Sequence, residues 1–189
     1  MANDIILVVD DEHANRSLLA QILGASGYDA TIAHDGFDAL LRVAEYSPRL
    51  MISDLQMPRM SGFELLSVVR RRFPEIAVIC MSGFYDSAIL PPCVICDAFF
   101  AKGAYKPSEL LAKVTELLSG EYRAALVNGT PVPIWLPRGQ DDYYIVTCTS
   151  CLRSFPVRGT TEVENAEQHI PCLHCQTVLT YFIEGRRVS

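Results

Sequence analysis

The sequence predicts an α/β fold, a doubly wound parallel sheet, followed by a small β-rich unit organised around cysteine pairs. Three observations carry this. Short apolar runs alternate with helical periodicity from the N-terminus to about residue 120, acidic residues end two of those runs, and Cys-x-x-Cys occurs twice, 20 residues apart, near the C-terminus. The expected boundaries are 1–120 for the α/β domain, 121–142 for a proline-containing apolar strap and 143–189 for the cysteine unit. With 189 residues, half of them apolar, the chain can bury one full domain of about 120 residues and leave a small remainder.

The elements follow in order. Ile5 to Val9 is an all-apolar run suited to a buried parallel strand. Leu18, Leu19, Ile22 and Leu23 repeat at helical spacing before Gly24 and Gly27. Asp29 to Ala33 is the next strand, with a helix through Phe37, Leu40 and Leu41. Leu50 to Ser53 follows, with a helix through Leu65, Leu66, Val68 and Val69. Ile76 to Cys80 and Ala98 to Ala101 are further strands. The last helix starts near Pro107, where proline suits a first turn, and carries Leu110, Leu111, Val114, Leu117 and Leu118. Arg70-Arg71-Arg72 closes the third helix, where cations complement the helix dipole, and reads as a solvated terminus.

Polar residues punctuate the strand ends. Asp10 and Asp11 follow the first apolar run. Asp54 opens Asp54-Leu55-Gln56-Met57-Pro58-Arg59-Met60-Ser61-Gly62, Ser82 follows Ile76 to Met81, and Lys102 follows Ala98 to Ala101. Strand carboxyl ends of an open α/β sheet border a ligand crevice, so three carboxylates, a hydroxyl and an ammonium are expected at one edge. Like charges about 4 Å apart repel by roughly 1 kcal/mol in water and several-fold more near protein, so the carboxylates need a counter-charge. Mg²⁺ suits them, because it takes carboxylate and phosphate oxygens and keeps several waters. Taken singly, an Asp-Asp pair is more often a solvated turn and Met-Pro a simple loop; the combination in this order is the signal.

This combination resembles the response-regulator receiver domain, CheY-like, over roughly residues 4 to 120. The resemblance implies the five-stranded flavodoxin-like sheet of two-component systems. It implies that Asp54 accepts a phosphoryl group from a sensor histidine kinase or phosphotransfer protein. It further implies that Asp10, Asp11, Asp54 and the backbone carbonyl of Gln56 hold Mg²⁺, with Asp10 acting through water. Ser82 and Lys102 would contact the phosphoryl oxygens, and Phe99 would be an aromatic switch that moves inward with Ser82. The implied setting is cytoplasmic, without a separate catalytic domain.

Three departures from the family stand out. The stretch Gly83 to Pro92 leaves room for about two helical turns before proline stops them, so a short or irregular helix is expected there. Gly103 follows Lys102 where proline is usual, and Lys106-Pro107 lies four residues on, which makes Lys106 a rival for the lysine role. Phe84 sits two residues after Ser82, where a bulky side chain suggests a slowly hydrolysed phosphoryl group.

Cys148, Cys151, Cys172 and Cys175 have the spacing of a tetrahedral four-thiolate Zn²⁺ site and look like a zinc ribbon. Iron in a rubredoxin-like site, a redox dithiol pair, four free buried thiols or two disulfides are the alternatives; an intracellular chain disfavours the last. Tyr143 to Thr147, Phe155 to Val157 and Val178 to Ile183 read as the flanking strands. A unit of about 45 residues cannot easily bury enough apolar surface to fold alone, and a metal supplies folding energy. The glycine usual after each second cysteine is replaced by Leu152 and Gln176. His169 and His174 lie close enough in sequence to be alternate ligands, although four cysteines already fill a tetrahedron. Cys93-x-x-Cys96 has no second pair nearby and reads, like Cys80, as core.

The strap holds Pro131, Pro133 and Pro137 around Val132, Ile134, the only tryptophan, Trp135, and Leu136. It is too apolar for a solvated tether, so Trp135 is expected to pack on a domain, the alternative being an anchor for a binding partner. Residues 121 to 189 carry six Arg, no Lys and seven Asp or Glu. Four thiolates with one Zn²⁺ bring that net of about −1 to about −3, which disfavours nucleic acid, since DNA binding draws affinity from neutralising phosphates. The expected output is therefore binding of an as yet unknown partner protein. The alternatives are a DNA- or RNA-binding transcriptional regulator and a redox or metal sensor with an inactive receiver. No signal peptide or membrane-length apolar span is read from the sequence, so no membrane partner is expected.

Overall fold

The computed structural model describes residues 4–85, 96–119, 133–136, 143–159 and 166–184. Five parallel strands, β1 (Ile5–Val9), β2 (Asp29–Ala33), β3 (Leu50–Asp54), β4 (Ala77–Ser82) and β5 (Ala98–Ala101), lie in the order β2-β1-β3-β4-β5. Every residue of β3 and β4 is buried, as expected of central strands covered on both faces. The covering helices are α1 (His13–Ala25), α2 (Gly36–Tyr46), α3 (Gly62–Arg72) and α4 (Pro107–Ser119). Leu7, Val9, Met51, Val78 and Cys80 face α2 and α3, while Ile6, Val8, Ile52, Ile79 and Met81 face α1 and α4. Alternate strand residues thus feed two cores.

Local chemistry fixes the helix starts. Asp35 accepts the Asp38 N–H at 2.8 Å at the head of α2. At the head of α3, Ser61 Oγ accepts the Glu64 N–H at 3.3 Å while Glu64 accepts the Ser61 N–H at 3.0 Å, a reciprocal capping box. The irregular helix expected across 83–92 falls mostly on residues 86–95, outside the described residues, as does Cys93.

The C-terminal strands are β6 (Ile134–Leu136), β7 (Tyr143–Thr147), β8 (Ser154–Arg158), β9 (Gln168–Pro171) and β10 (Val178–Ile183). β7 and β8 form an antiparallel pair, and β9 pairs antiparallel with β10. The apolar part of the strap becomes β6, which runs parallel to β10 with Trp135 opposite Phe182. A third core, built on Ile134, Val146, Phe155, Leu179, Tyr181 and the thiols of Cys148 and Cys172, joins these strands.

This assembly rests on α3, whose residues Gly62 to Arg70 are all buried. Trp135 joins the core under α2 and α3, with Phe182 and Leu152 packed against the same cluster. Ser67 Oγ donates to the Pro133 carbonyl at 3.3 Å. The second Glu64 oxygen accepts the Thr147 N–H at 2.9 Å, and burial raises the Glu64 pKa above its ordinary value despite the N–H donors of Ser61 and Thr147.

The reading of the three arginines as a solvated helix end is corrected. Arg70 is buried, with Nη2 2.6 Å from Asp97 and Nη1 donating to the Ile76 carbonyl at 3.1 Å. Arg72 donates through Nε to the Thr149 carbonyl at 3.2 Å and through Nη2 to that of Ser150. Asp97, distant in sequence, takes Arg70 out of water, while Arg71 and Arg72 are exposed, so only Arg70 departs from a solvated helix end. Among the described residues no helix is long and apolar enough to cross a membrane.

Candidate functional sites

The first site lies at the carboxyl edge of the five-stranded sheet, between β1 and β3, where the strand order reverses. Val9 pairs with Ser53, so Asp10 and Asp54 leave neighbouring strands side by side. Carboxylate oxygens of Asp10, Asp11 and Asp54 all lie within 4.8 Å of one another. Asp10 and Asp54 are buried and Asp11 is exposed, so the cluster opens to water on one side. Lys102, whose N–H donates to the Ser82 carbonyl at 2.7 Å, sends Nζ to within 2.7 Å of Asp10 and 2.6 Å of Asp54. Lys106, the sequence rival, is exposed four residues later. Gly103 adopts φ 78, a left-handed conformation that suits the glycine found in place of proline.

The electrostatics follow from burial and this one cation. Burial raises the Asp54 pKa, and the Lys102 ammonium with the Gln56 N–H offsets part of that rise. Burial opposes the Lys102 charge, but Asp10 and Asp54 outweigh it and hold its pKa above the usual lysine value. The remaining oxygens are also held. Asp54 Oδ1 accepts the Gln56 N–H at 3.1 Å, and Asp10 Oδ1 accepts the Glu12 N–H at 2.9 Å. Asn15 and Arg16 add bonds to the Asp10 carboxylate and carbonyl, respectively. Neither was singled out from sequence; their positions in the first turns after Asp10-Asp11 are the readable signal. Clustered hard oxygens open to water fit Mg²⁺.

Ser82 ends β4 fully buried, its Oγ accepting the N–H groups of Phe84 and Tyr85, both at 3.0 Å. Phe99 lies half-buried on β5, opposite Cys80 in the register, and packs against the core under α2 and α3.

The second site is the four-cysteine cluster. Cys148 and Cys151 sit at the β7–β8 turn, and Cys172 and Cys175 at the β9–β10 turn. Their sulfurs lie within 4.8 Å of one another, with Cys148–Cys175 and Cys151–Cys172 at 3.7 Å. A disulfide needs about 2.05 Å, whereas a tetrahedron with Zn–S near 2.3 Å has edges of about 3.8 Å. The two turns repeat one design. Cys148 Sγ accepts the Ser150 and Cys151 N–H groups, and Cys172 Sγ accepts that of His174, all at 3.4 Å. Thr177 holds the Cys175 thiol down to about 6, while burial pushes the Cys148 thiol up to about 12. One ready thiolate, three further sulfurs and tetrahedral spacing fit Zn²⁺. His174 stands edge-on to Phe155, and His169 bonds to Thr180.

Leu152 and Gln176 take φ 61 and 62, so each turn adopts the left-handed conformation without its usual glycine. That conformation costs a residue with a Cβ roughly 1–2 kcal/mol, and glycine returns part of this through its looser unfolded state. Gln176 is exposed, so Gln176→Gly is expected to stabilise the metal-loaded chain by about 0.5–1 kcal/mol, read from denaturant midpoints. A lower midpoint would show that its side chain is needed elsewhere.

The response regulator receiver domain family matches residues 6–114. The nitrogen assimilation regulatory protein NtrX of Azorhizobium caulinodans is 44% identical over 85 residues, 44% of this chain and 18% of NtrX. The chain spans only 18–25% of the length of the curated relatives NtrX and Regulator of RpoS that it matches. A CheY-like receiver domain protein from Methanospirillum hungatei JF-1 superposes with a TM-score of 0.58 at 28% identity, covering 64% of this chain and 97% of the other. TrrA of Thermotoga maritima, solved with Mg²⁺ and beryllium fluoride, superposes at 0.55 with 31% identity, covering 60% and 98%.

Proposed function

Because the chain belongs to the response regulator receiver family over residues 6–114, we propose that it is a cytoplasmic phosphorylation-controlled signalling protein with Asp54 as its phosphoacceptor. The observation that carries this is the meeting of Asp10, Asp11 and Asp54 around the Lys102 ammonium at an open sheet edge. In this reading residues 1–120 are the receiver, 121–142 a strap that lends β6 to the output sheet, and 143–189 a zinc-ribbon output that binds a partner protein.

An Asp54 carboxylate oxygen attacks the phosphorus of a phosphohistidine on a sensor kinase or phosphotransfer protein. The new O–P bond forms as the N–P bond breaks, and the imidazole leaves with its electron pair. Asp11, Asp54 and the Gln56 carbonyl, with Asp10 acting through water, would hold Mg²⁺, which would supply charge neutralisation. Lys102 neutralises a further oxygen, and Ser82 turns to bond another. Phe99 packs inward behind it. Phe84, half-exposed beside Ser82, screens the acyl phosphate from water and lengthens its life. Cys148, Cys151, Cys172 and Cys175 would hold Zn²⁺, which would keep the ribbon in shape.

Incubation with Mg²⁺ and acetyl phosphate should add one phosphoryl mass to the wild-type chain and none to Asp54→Asn, with unchanged circular dichroism. Equal labelling of both chains would remove Asp54 from the role.

A further inference from the structure

Tyr85 connects the phosphorylation edge to the cysteine unit. Its N–H donates to Ser82 Oγ at 3.0 Å, and its hydroxyl donates to Glu184 at 3.1 and 3.2 Å from the two carboxylate oxygens. The ring between these ends is buried, edge-on to Phe63 of α3 at 5.6 Å and to Phe84 at 5.1 Å. Glu184 follows β10 directly and donates its own N–H to the Leu136 carbonyl at 3.0 Å, closing the β6–β10 edge. A carboxylate fixed in the C-terminal sheet is thereby tied, through one rigid side chain, to the hydroxyl that ends β4.

We propose that Tyr85 and Glu184 form a latch that transmits the position of Ser82 to the ribbon; the proposal rests on Asp54 as the phosphoacceptor. When Ser82 turns to a phosphoryl oxygen, the Phe84 and Tyr85 N–H groups lose their shared acceptor. Residues 83–85 then shift, and the Tyr85 hydroxyl withdraws from Glu184. The β6–β10 edge loses one of its attachments to the N-terminal half, so the Trp135 and Phe182 surface packed on α3 loosens. Coupling of this kind is reciprocal, and cutting the latch must also favour the turned Ser82. The two-state element is the loop of residues 83–85, which both ends bias.

The test uses the full zinc-loaded chain with Mg²⁺ and acetyl phosphate, as wild type, Tyr85→Phe and Glu184→Leu. Phosphoryl mass on Asp54 and hydrogen exchange in strands 134–136 and 178–183 are followed together. In the wild type, phosphorylation should speed exchange in those strands about tenfold. Both variants should exchange faster before phosphorylation, respond little to it, and keep the phosphoryl group about fivefold longer. Tyr85→Phe keeps the ring but removes the donor, and Glu184→Leu removes both acceptor oxygens, so the two cut the same bond from opposite ends. If Asp54 takes no phosphoryl group, the phosphoacceptor reading falls and the latch with it. If all three chains are labelled and exchange ignores labelling, or the variants respond as the wild type does, the latch is overturned and the reading of Asp54 stands.

Discussion

Chelation of zinc is expected to unfold strands β6 to β10 while the five-stranded sheet stays intact. The C-terminal core is small, and two of its buried members are the thiols of Cys148 and Cys172, which have no comparable packing role once the ion is gone. Structural zinc contributes roughly 10–16 kcal/mol in finger peptides, more than the net of about 3–5 kcal/mol that the core of so small a unit supplies. Trp135 gives the readout, because β6 is held by β10 on one side and the α3 core on the other. Its emission should shift to the red on chelation and recover with Zn²⁺, while acetyl phosphate still labels Asp54. A chelated chain with unchanged emission would show that apolar contacts alone hold the unit.

Gly62→Ala is expected to cost about 3 kcal/mol and to lower Asp54 labelling at the same time. Alanine is ordinarily better than glycine in a helix by about 1 kcal/mol, so propensity alone predicts a gain. The sterics at this position outweigh it. A Cβ on Gly62 would press into the Asp54 carbonyl oxygen and lie 2.7 Å from Leu55 Cα, and backbone cannot move aside as a side chain can. The displaced strand end is the one that carries Asp54. Gly36→Ala is the comparison, since its Cβ would meet only side-chain atoms of the buried Met60, at 2.6 Å for Cγ and Sδ and 2.9 Å for Cβ, and a smaller cost of about 1–2 kcal/mol is expected there. Thermal midpoints and labelling rates of the two variants check both statements; equal losses would show that the close approach at Gly62 is not the cause.

The parallel sheet and its carboxylate-bearing edge were legible because the relevant information is local. Apolar runs of strand length end in Asp10, Asp54, Ser82 and Lys102, and a parallel sheet brings successive strand ends to one edge whatever the details of packing. The cysteine pairs were legible for the same reason. What sequence hid depends on contacts between distant segments. Ser61-x-x-Glu64 can be read as a capping box, yet nothing local shows that a second Glu64 oxygen holds Thr147. Arg70 looks like a surface charge until Asp97, 27 residues on, lies against it. Tyr85 carries no motif, and its partner is 99 residues away. The missing turn glycines mislead in the opposite sense, since Leu152 and Gln176 take the left-handed conformation regardless.

The two-sided enclosure of α3 bears on how this molecule can be divided. An amphipathic surface helix ordinarily keeps a wet face, but here the outer side of α3 holds Glu64 and lies beneath Trp135 and Phe182. A fragment ending at Ser119 would leave a carboxylate shaped for an amide it no longer meets, beside bare apolar surface. Such a piece should be sticky and poorly soluble, so modular exchange of the C-terminal unit must carry compensating polar replacements along α3.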